Sequence, residues 1–238
     1  MDPRLFGEFM GTMVLALLGN GAVANVVLKK TLGSAAGWLT IVFGYGVGVM
    51  AGVFTALYCG SPAAFINPGV TLAFSISGGD FSMLIPFWIA QILGAFVAGV
   101  ILWLHFFPHW AETEDAGTKL ACFCTGPAIR NTMSNLISEI IGTFLLAFLV
   151  HAMVKTGPVA GLAPFLVGAI IWAIGCGLGG TTGFAINPAR DLGPRIAHAI
   201  LPIHGKGSSD FRYGFTVPVL GGLLGGGLAG LFIRVAHL

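Results

Sequence analysis

Two stretches of the sequence place an Asn-Pro pair in apolar surroundings: FINPGVTLAF from Phe65 and FAINPARDLG from Phe184. Asn caps helices well and Pro is favoured at the first helical position, so Asn67 and Asn187 are each expected to begin a short helix. The backbone before each pair should be non-helical, with carbonyl groups that no helix satisfies. The pattern therefore predicts rows of hydrogen-bond acceptors that converge on two amide donors.

Three ionisable residues stand within or beside apolar segments: Glu8 in EFMGT, Glu139 in EIIGT, and Arg190 three residues after the second Asn. A charge at membrane depth is costly unless it faces a cavity or a partner, so these residues are expected to have an architectural or functional role. Cys122 and Cys124 do not have zinc-knuckle spacing, and neither an HExxH motif nor a paired-carboxylate site occurs. The pattern favours hydrogen-bond exchange along a path over catalysis or metal binding.

The composition requires a membrane environment. Of 238 residues, 56% are hydrophobic and only 8% are charged, whereas soluble domains carry about 25% charged residues. Apolar runs of about 20 residues predict membrane-spanning helices, because a membrane β-barrel would show shorter, alternating segments. The expected surrounding is a lipid bilayer, and a net charge of +2 gives no indication of a nucleic-acid partner.

Eight apolar segments are predicted, and six of them are long enough to cross a bilayer. These six are Leu5–Leu28, Trp38–Tyr58, Met83–Phe107, Leu136–Val154, Ala163–Leu178 and Phe215–Val235. The other two, 68–77 and 188–201, would reach about 15 Å as helices, half of the hydrocarbon thickness. They can enter the membrane and stop there.

The segments form the order span, span, half-span, span, and this order occurs twice. We therefore predict a first repeat at 1–107, a connecting loop at 108–135 and a second repeat at 136–238. An odd number of full spans per unit inverts the second repeat relative to the first. The predicted fold is an all-α membrane protein with six transmembrane helices and two re-entrant half-helices.

In this arrangement both half-helices begin near the bilayer centre, so their positive dipole ends meet there and oppose a cation. A central water that accepts from both amides must donate outward in both directions, which breaks proton hopping. The predicted pore-lining backbone carbonyls are those of Ala63, Ala64, Phe65, Gly183 and Ala185.

The two Asn-Pro stretches and the segments around them resemble the major intrinsic proteins, the aquaporin and glycerol-facilitator family. The resemblance covers the whole chain. The strongest part is GFAINPARDLGPR from Gly183, and GLAPFLVGAIIWAIG before it fits the same branch. The resemblance implies a passive channel for glycerol, other small uncharged solutes and water, without a cofactor and assembled as a homotetramer. It also implies that Glu8 and Glu139 brace the two pore loops, with Gln91 in a supporting role.

The resemblance further implies a selectivity constriction of four residues: Phe43, Gly175, Phe184 and Arg190. Phe43 is selected by aligning FGYGVGVM on its glycines, whereas a direct count gives Val47. Two aromatic faces would pack the carbon backbone of a triol while Arg190 donates to its hydroxyls, and Gly175 would leave space that a His fills in water-selective channels. Asp191 is expected to mark the glycerol branch.

The first loop departs from the family pattern at two positions. Phe65 stands where the family usually has His, and Gly69 stands where the Ala of Asn-Pro-Ala is usual. The half-helix tips are expected to touch at Gly69, so these changes predict a slightly wider or more mobile inner pore.

Three other functions are compatible with parts of the sequence: a water-selective channel of the same fold, an ion-coupled secondary transporter and a membrane enzyme. The physiological solute stays open among glycerol, water, urea, ammonia, dihydroxyacetone, lactate and hydrogen peroxide. The expected location is the cell (inner) membrane with both termini cytoplasmic, although a count of Lys and Arg in the loops does not favour that orientation.

Overall fold

The computed structural model describes residues 2–159 and 161–238, and every regular element in these ranges is helical. The α-helices are α1 Pro3–Val27, α2 Trp38–Tyr58, α3 Pro68–Gly78, α4 Leu84–His105, α5 His109–Glu112, α6 Ala116–Ala121, α7 Thr132–Thr156, α8 Ala163–Leu178, α9 Pro188–Ile200, α10 Phe211–Gly214 and α11 Leu220–Val235. A 3₁₀ turn, Gly179–Thr181, extends α8, and a π-helical turn, Phe215–Val219, joins α10 to α11. The predicted all-α fold is confirmed.

Six of these helical stretches within the described residues are long and apolar enough to cross a membrane. The fourth and sixth begin upstream of the predicted starts at Leu136 and Phe215. Polar caps explain both shifts, because Asn131 accepts from the backbone N–H of Ser134 and Asp210 accepts from that of Tyr213. Pro218 lies in the π-helical turn, where it removes one backbone donor from the last span.

The two short helices α3 and α9 contain 11 and 13 residues and each begins at the Pro of an Asn-Pro pair. The Asn67 side chain accepts from the backbone N–H of Gly69 at 2.8 Å, and Asn187 accepts from that of Ala189 at 3.0 Å. Each Asn thus satisfies donors that the first turn would otherwise leave unpaired.

Each short helix packs mainly on the last span of the other half of the chain, α3 on α11 and α9 on α4. Small residues permit close approach at the matching interfaces between spans. A methyl group on Gly94 of α4 would overlap the carbonyl of Phe9 in α1, and one on Gly225 of α11 would lie 2.5 Å from the carbonyl oxygen of Ile140 in α7. The halves therefore interlock and hold both Asn-Pro pairs in the interior.

Most apolar side chains that stay exposed lie on the outward faces of the spans, as expected for a helix bundle in lipid. Examples are Phe54, Leu93, Ile137 and Leu231. The face at which α1 begins and α11 ends is called the terminal face below. Following the six spans along the chain places the ends of α3 and α7 at this face, and the end of α9 at the opposite face.

Candidate functional site

The two Asn-Pro loops adopt the same unusual backbone. The residues one and three positions before each Asn have positive φ although none is Gly: Ala64 (43°), Ile66 (46°), Phe184 (39°) and Ile186 (39°). Such conformations cost about 1–3 kcal/mol each and persist only where the surroundings hold them. Both loops therefore need support from elsewhere in the chain.

Glu8 supplies this support for the first loop. Its carboxylate is fully buried and accepts from the backbone N–H groups of Phe65 (2.9 Å) and Ile66 (2.7 Å) and from the Ser61 hydroxyl (2.7 Å). A fourth bond comes from the Gln91 amide at 2.8 Å, which also donates to the Thr71 hydroxyl at 3.0 Å. The predicted positions of Glu8 and Gln91 beside the loop agree with these contacts.

Glu139 supports the second loop in the same way with three donors. It accepts from the backbone N–H groups of Ala185 (3.0 Å) and Ile186 (2.7 Å) and from the Thr182 hydroxyl (2.6 Å). Thr182 takes the place that Ser61 has in the first loop. Both carboxylates thus hold the N–H groups at one and two positions before the Asn, which fixes the backbone between the two strained residues of each loop and at the second of them.

The two Asn side chains also tie the loops to each other. The Asn67 amide donates to the carbonyl of Ile186 at 2.8 Å, and the Asn187 amide donates to the carbonyl of Ile66 at 2.9 Å. An Asn amide has two donor hydrogens, so each keeps one after the cross-loop bond is made. These reciprocal bonds place both amides side by side, each with one remaining donor.

A cavity of about 370 Å³ passes both Asn residues. It runs from Phe184 and Arg190 to Leu57 and Val154 near the terminal face, with mostly apolar walls. Of the predicted carbonyl residues, Ala63, Ala64, Phe65 and Ala185 line it, whereas Gly183 does not. Within the described residues no protein donor reaches the carbonyl oxygen of any of these five.

Arg190 lies at the opposite-face end of this cavity and is 5% exposed. Its guanidinium carbon lies 4.5 Å from the centre of the Tyr45 ring, and its Nη1 has no partner among the described residues. The Phe184 ring meets the rings of Tyr45 and Trp38 edge-on, with centroids 5.5 and 5.6 Å apart. An unpaired cationic donor and two aromatic rings, those of Phe184 and Tyr45, therefore line one end of the cavity, and Trp38 contacts Phe184 without lining it.

The alignment on glycines selected Phe43 and missed Tyr45, which lines the cavity. Phe43 is 52% exposed, packs edge-on against Trp172 and does not line the cavity, and Val47 is also exposed and absent from its wall. Val42 and Tyr45 are both buried on the inward face of α2, and Phe43 is rotated by about 100° from Val42. Phe43 therefore faces outward, and the prediction that it lines the constriction is wrong.

Gly175 lies next to the constriction but does not leave open space. A methyl group there would lie 2.6 Å from Cγ1 of Val42 and 3.2 Å from Cε2 of Phe184. Gly175 therefore lets α2 and the Phe184 ring approach α8, and its expected role as a vacancy is corrected to one of close packing.

Comparison with known proteins agrees with this geometry. The family model described as "Major intrinsic protein" matches residues 3–233.

The chain belongs to the major intrinsic protein family.

It is 50% identical to "Glycerol uptake facilitator protein 3" of Lactiplantibacillus plantarum, with 98% of each chain covered. It is 49% identical to "Glycerol uptake facilitator protein" of Streptococcus pneumoniae, covering 96% of this chain and 97% of the relative. The X-ray structure of the aquaglyceroporin from Plasmodium falciparum matches with a TM-score of 0.83 and 27% identity, over 98% of this chain and 95% of that one. Membership of this family places the chain among channels and facilitators, not among enzymes.

Asp191 of this major intrinsic protein helps to hold the connecting loop in place. It forms a fully buried ion pair with Arg195 (2.7 Å) and accepts from the backbone N–H (2.8 Å) and hydroxyl (2.7 Å) of Thr125. Arg195 donates in turn to the carbonyl of Thr125 at 2.8 Å. The pair anchors the connecting loop to α9 directly behind Arg190, a role that chain position alone did not indicate.

The two unusual residues of the first loop differ in what they contact. Phe65 lines the cavity and packs on Phe74, with ring centroids 5.0 Å apart. A methyl group on Gly69 would lie 2.7 Å from the carbonyl oxygen of Gly222 in α11. Gly69 therefore packs closely on α11, and the wider or more mobile inner pore stays a prediction.

Proposed function

We propose that this major intrinsic protein is a passive channel that conducts glycerol and other small uncharged solutes together with water. The observation that carries the proposal is the constriction at one end of the cavity, where Arg190 presents an unpaired Nη1 beside the Phe184 and Tyr45 rings. The names of the glycerol uptake facilitators that this chain resembles support the same solute class.

The constriction matches the two faces of a polyol. The aromatic rings of Phe184 and Tyr45 pack against the carbon atoms, while Arg190 donates to the hydroxyl oxygens. Further along, the loop carbonyls accept from the solute hydroxyls, and the free amide hydrogens of Asn67 and Asn187 donate to their oxygens. Each hydrogen bond that the solute makes to water is exchanged for one to the pore, so the solute keeps its hydrogen-bond partners as it passes.

Exclusion of ions and protons is part of the proposal. A cation meets Arg190 first and then the N-terminal ends of α3 and α9, both of which carry partial positive charge. The two Asn amides orient a central water so that its hydrogens point away from both, which interrupts a proton wire. An ion gradient should therefore neither drive solute accumulation nor dissipate through the pore.

Stopped-flow swelling of proteoliposomes against glycerol, and against an impermeant osmolyte, tests the proposal. We expect glycerol to enter much faster than in protein-free vesicles, and Phe184→Cys to shift the ratio of permeabilities towards water. Fast water flux with glycerol acting as an impermeant solute would assign a water-selective channel. Accumulation of glycerol driven by an ion gradient would assign a coupled transporter.

We also propose two inverted repeats, residues 1–107 and 136–238, in a homotetramer of the cell membrane with cytoplasmic termini. The matched loop backbones and the crosswise packing of α3 and α9 support the repeats. Light scattering of the purified protein tests for four 24.6 kDa chains. In a variant without Cys59 and Cys176, Ser208→Cys should react with an impermeant maleimide from outside the cell.

A further inference from the structure

A second cavity, of about 560 Å³, lies beside the pore at the terminal face. It is bounded by the ends of α3, α7 and α11, and four of its residues carry nitrogen donors: His151, Lys155, Arg234 and His237. Phe74 and Val154 line both this cavity and the pore cavity, so the two cavities adjoin at these side chains.

His151 is the unusual member of this group. Its side chain is 8% exposed, yet neither ring nitrogen makes a hydrogen bond of normal geometry within the described residues, although the backbone of Leu238 lies beside the ring. The ring packs on Phe74 with centroids 5.5 Å apart, which accounts for its position but not for its polar atoms. Buried polar atoms normally have a partner, so an imidazole that faces a cavity without one points to a ligand that supplies it.

The charged groups around His151 indicate the sign of the charge that such a ligand carries. Lys155 and Arg234 are both exposed, no Asp or Glu side chain within the described residues lines the cavity, and Leu238 contributes the carboxylate at the end of the described chain. Arg234 uses Nη1 on the carbonyl of Ile76 at 3.2 Å, which leaves most of its donors free. Two cations and two imidazoles outnumber this one carboxylate, so the open cavity attracts anions that accept hydrogen bonds.

We propose that this cavity binds a phosphate group, with Lys155, Arg234 and His237 holding the charged oxygens and His151 donating from beneath. The ligand chemistry is that of a phosphomonoester or phosphodiester, and two sources could supply it at a membrane surface: a soluble phosphate or a phospholipid headgroup. Neither source requires glycerol conduction, so the inference stands independently of the proposed function.

The test compares the full chain with the double variant Lys155→Gln/His237→Gln. Neither side chain bonds to protein within the described residues, so the variant should fold. The matched control is Lys29→Gln/His204→Gln, which removes the same residue types from exposed positions at the opposite face. A second variant, His151→Phe, keeps the ring that packs on Phe74 but removes both nitrogens.

The first arm measures thermal unfolding in detergent against inorganic phosphate, with chloride holding ionic strength constant. The second measures unfolding in phosphatidylcholine vesicles with and without phosphatidylglycerol. We expect the wild type and control to be stabilised, and the double and His151→Phe variants to need about tenfold more phosphate or anionic lipid for the same shift. A response in one arm alone identifies the source, whereas identical responses of all four proteins in both arms would overturn the proposal.

Discussion

The first and second Asn-Pro loops have the same backbone but present different side chains to the pore. Each has positive φ at one and three positions before its Asn, a glutamate that holds two loop N–H groups, and an amide bonded to the other loop. The third residue before the Asn is Ala64 in one loop and Phe184 in the other, and the third residue after it is Val70 or Arg190. The supporting backbone is thus shared, and the proposed selectivity depends on the side chains of the second loop.

The largest expected difference concerns the residue four positions after each Asn. Asp191→Asn removes one partner of a fully buried ion pair and weakens the attachment of Thr125, so we expect a loss of about 3–5 kcal/mol of stability. The matching change Thr71→Val removes neutral hydrogen bonds to Asn67 and Gln91 and should cost about 1 kcal/mol. Thermal unfolding midpoints of both proteins in detergent measure the difference, and equal losses would contradict it.

The next effect concerns the second residue after each Asn. Gly69→Ala places a methyl group 2.7 Å from the carbonyl oxygen of Gly222 and should cost about 1–3 kcal/mol through overpacking. Ala189→Gly, the reverse change in the second loop, only removes a buried methyl group and should cost about 1 kcal/mol. The same unfolding measurement applies, and a stable Gly69→Ala variant would show that α11 can move away from α3.

The third residue after each Asn, Val70 or Arg190, is expected to affect how well the pore excludes ions. Arg190→Val gives the second loop the residue type that Val70 supplies in the first, and removes the only charge on the pore wall within the described residues. We expect proton and cation leakage to rise about tenfold, which corresponds to about 1.4 kcal/mol of barrier. A pH-sensitive dye inside proteoliposomes reports the leak, with Val70→Leu as the apolar control. An unchanged leak would assign exclusion to the helix ends alone.

The smallest effect is expected at Phe65, the aromatic residue of the first loop. Phe65→His adds a polar group to an otherwise apolar stretch of the wall and loses little packing, since both rings can contact Phe74. Water permeability should rise about threefold, within 1 kcal/mol of the wild-type barrier, with no change in unfolding midpoint. Stopped-flow shrinkage in sucrose measures it, and a fall in glycerol entry would instead assign Phe65 to polyol packing.

Several elements of the site were predictable because strong local chemistry specifies them. Apolar runs of spanning length predict helices, Asn-Pro predicts a helix start, and an ionisable residue in an apolar run indicates a buried role. On these grounds the sequence alone determined the all-α membrane fold with its six spans, and its resemblance to known channels indicated that Glu8 and Glu139 brace the loops.

The tertiary structure decided which faces of the helices meet. A helix in lipid is apolar on its buried and its exposed sides, so periodicity does not reveal that Tyr45 faces the pore while Phe43 faces outward. Likewise, the contact of Gly69 with α11, the anchoring of Thr125 by Asp191 and the unpaired imidazole of His151 depend on residues distant in the chain. Local chemistry determines where a helix begins, whereas only packing between helices decides what each side chain touches.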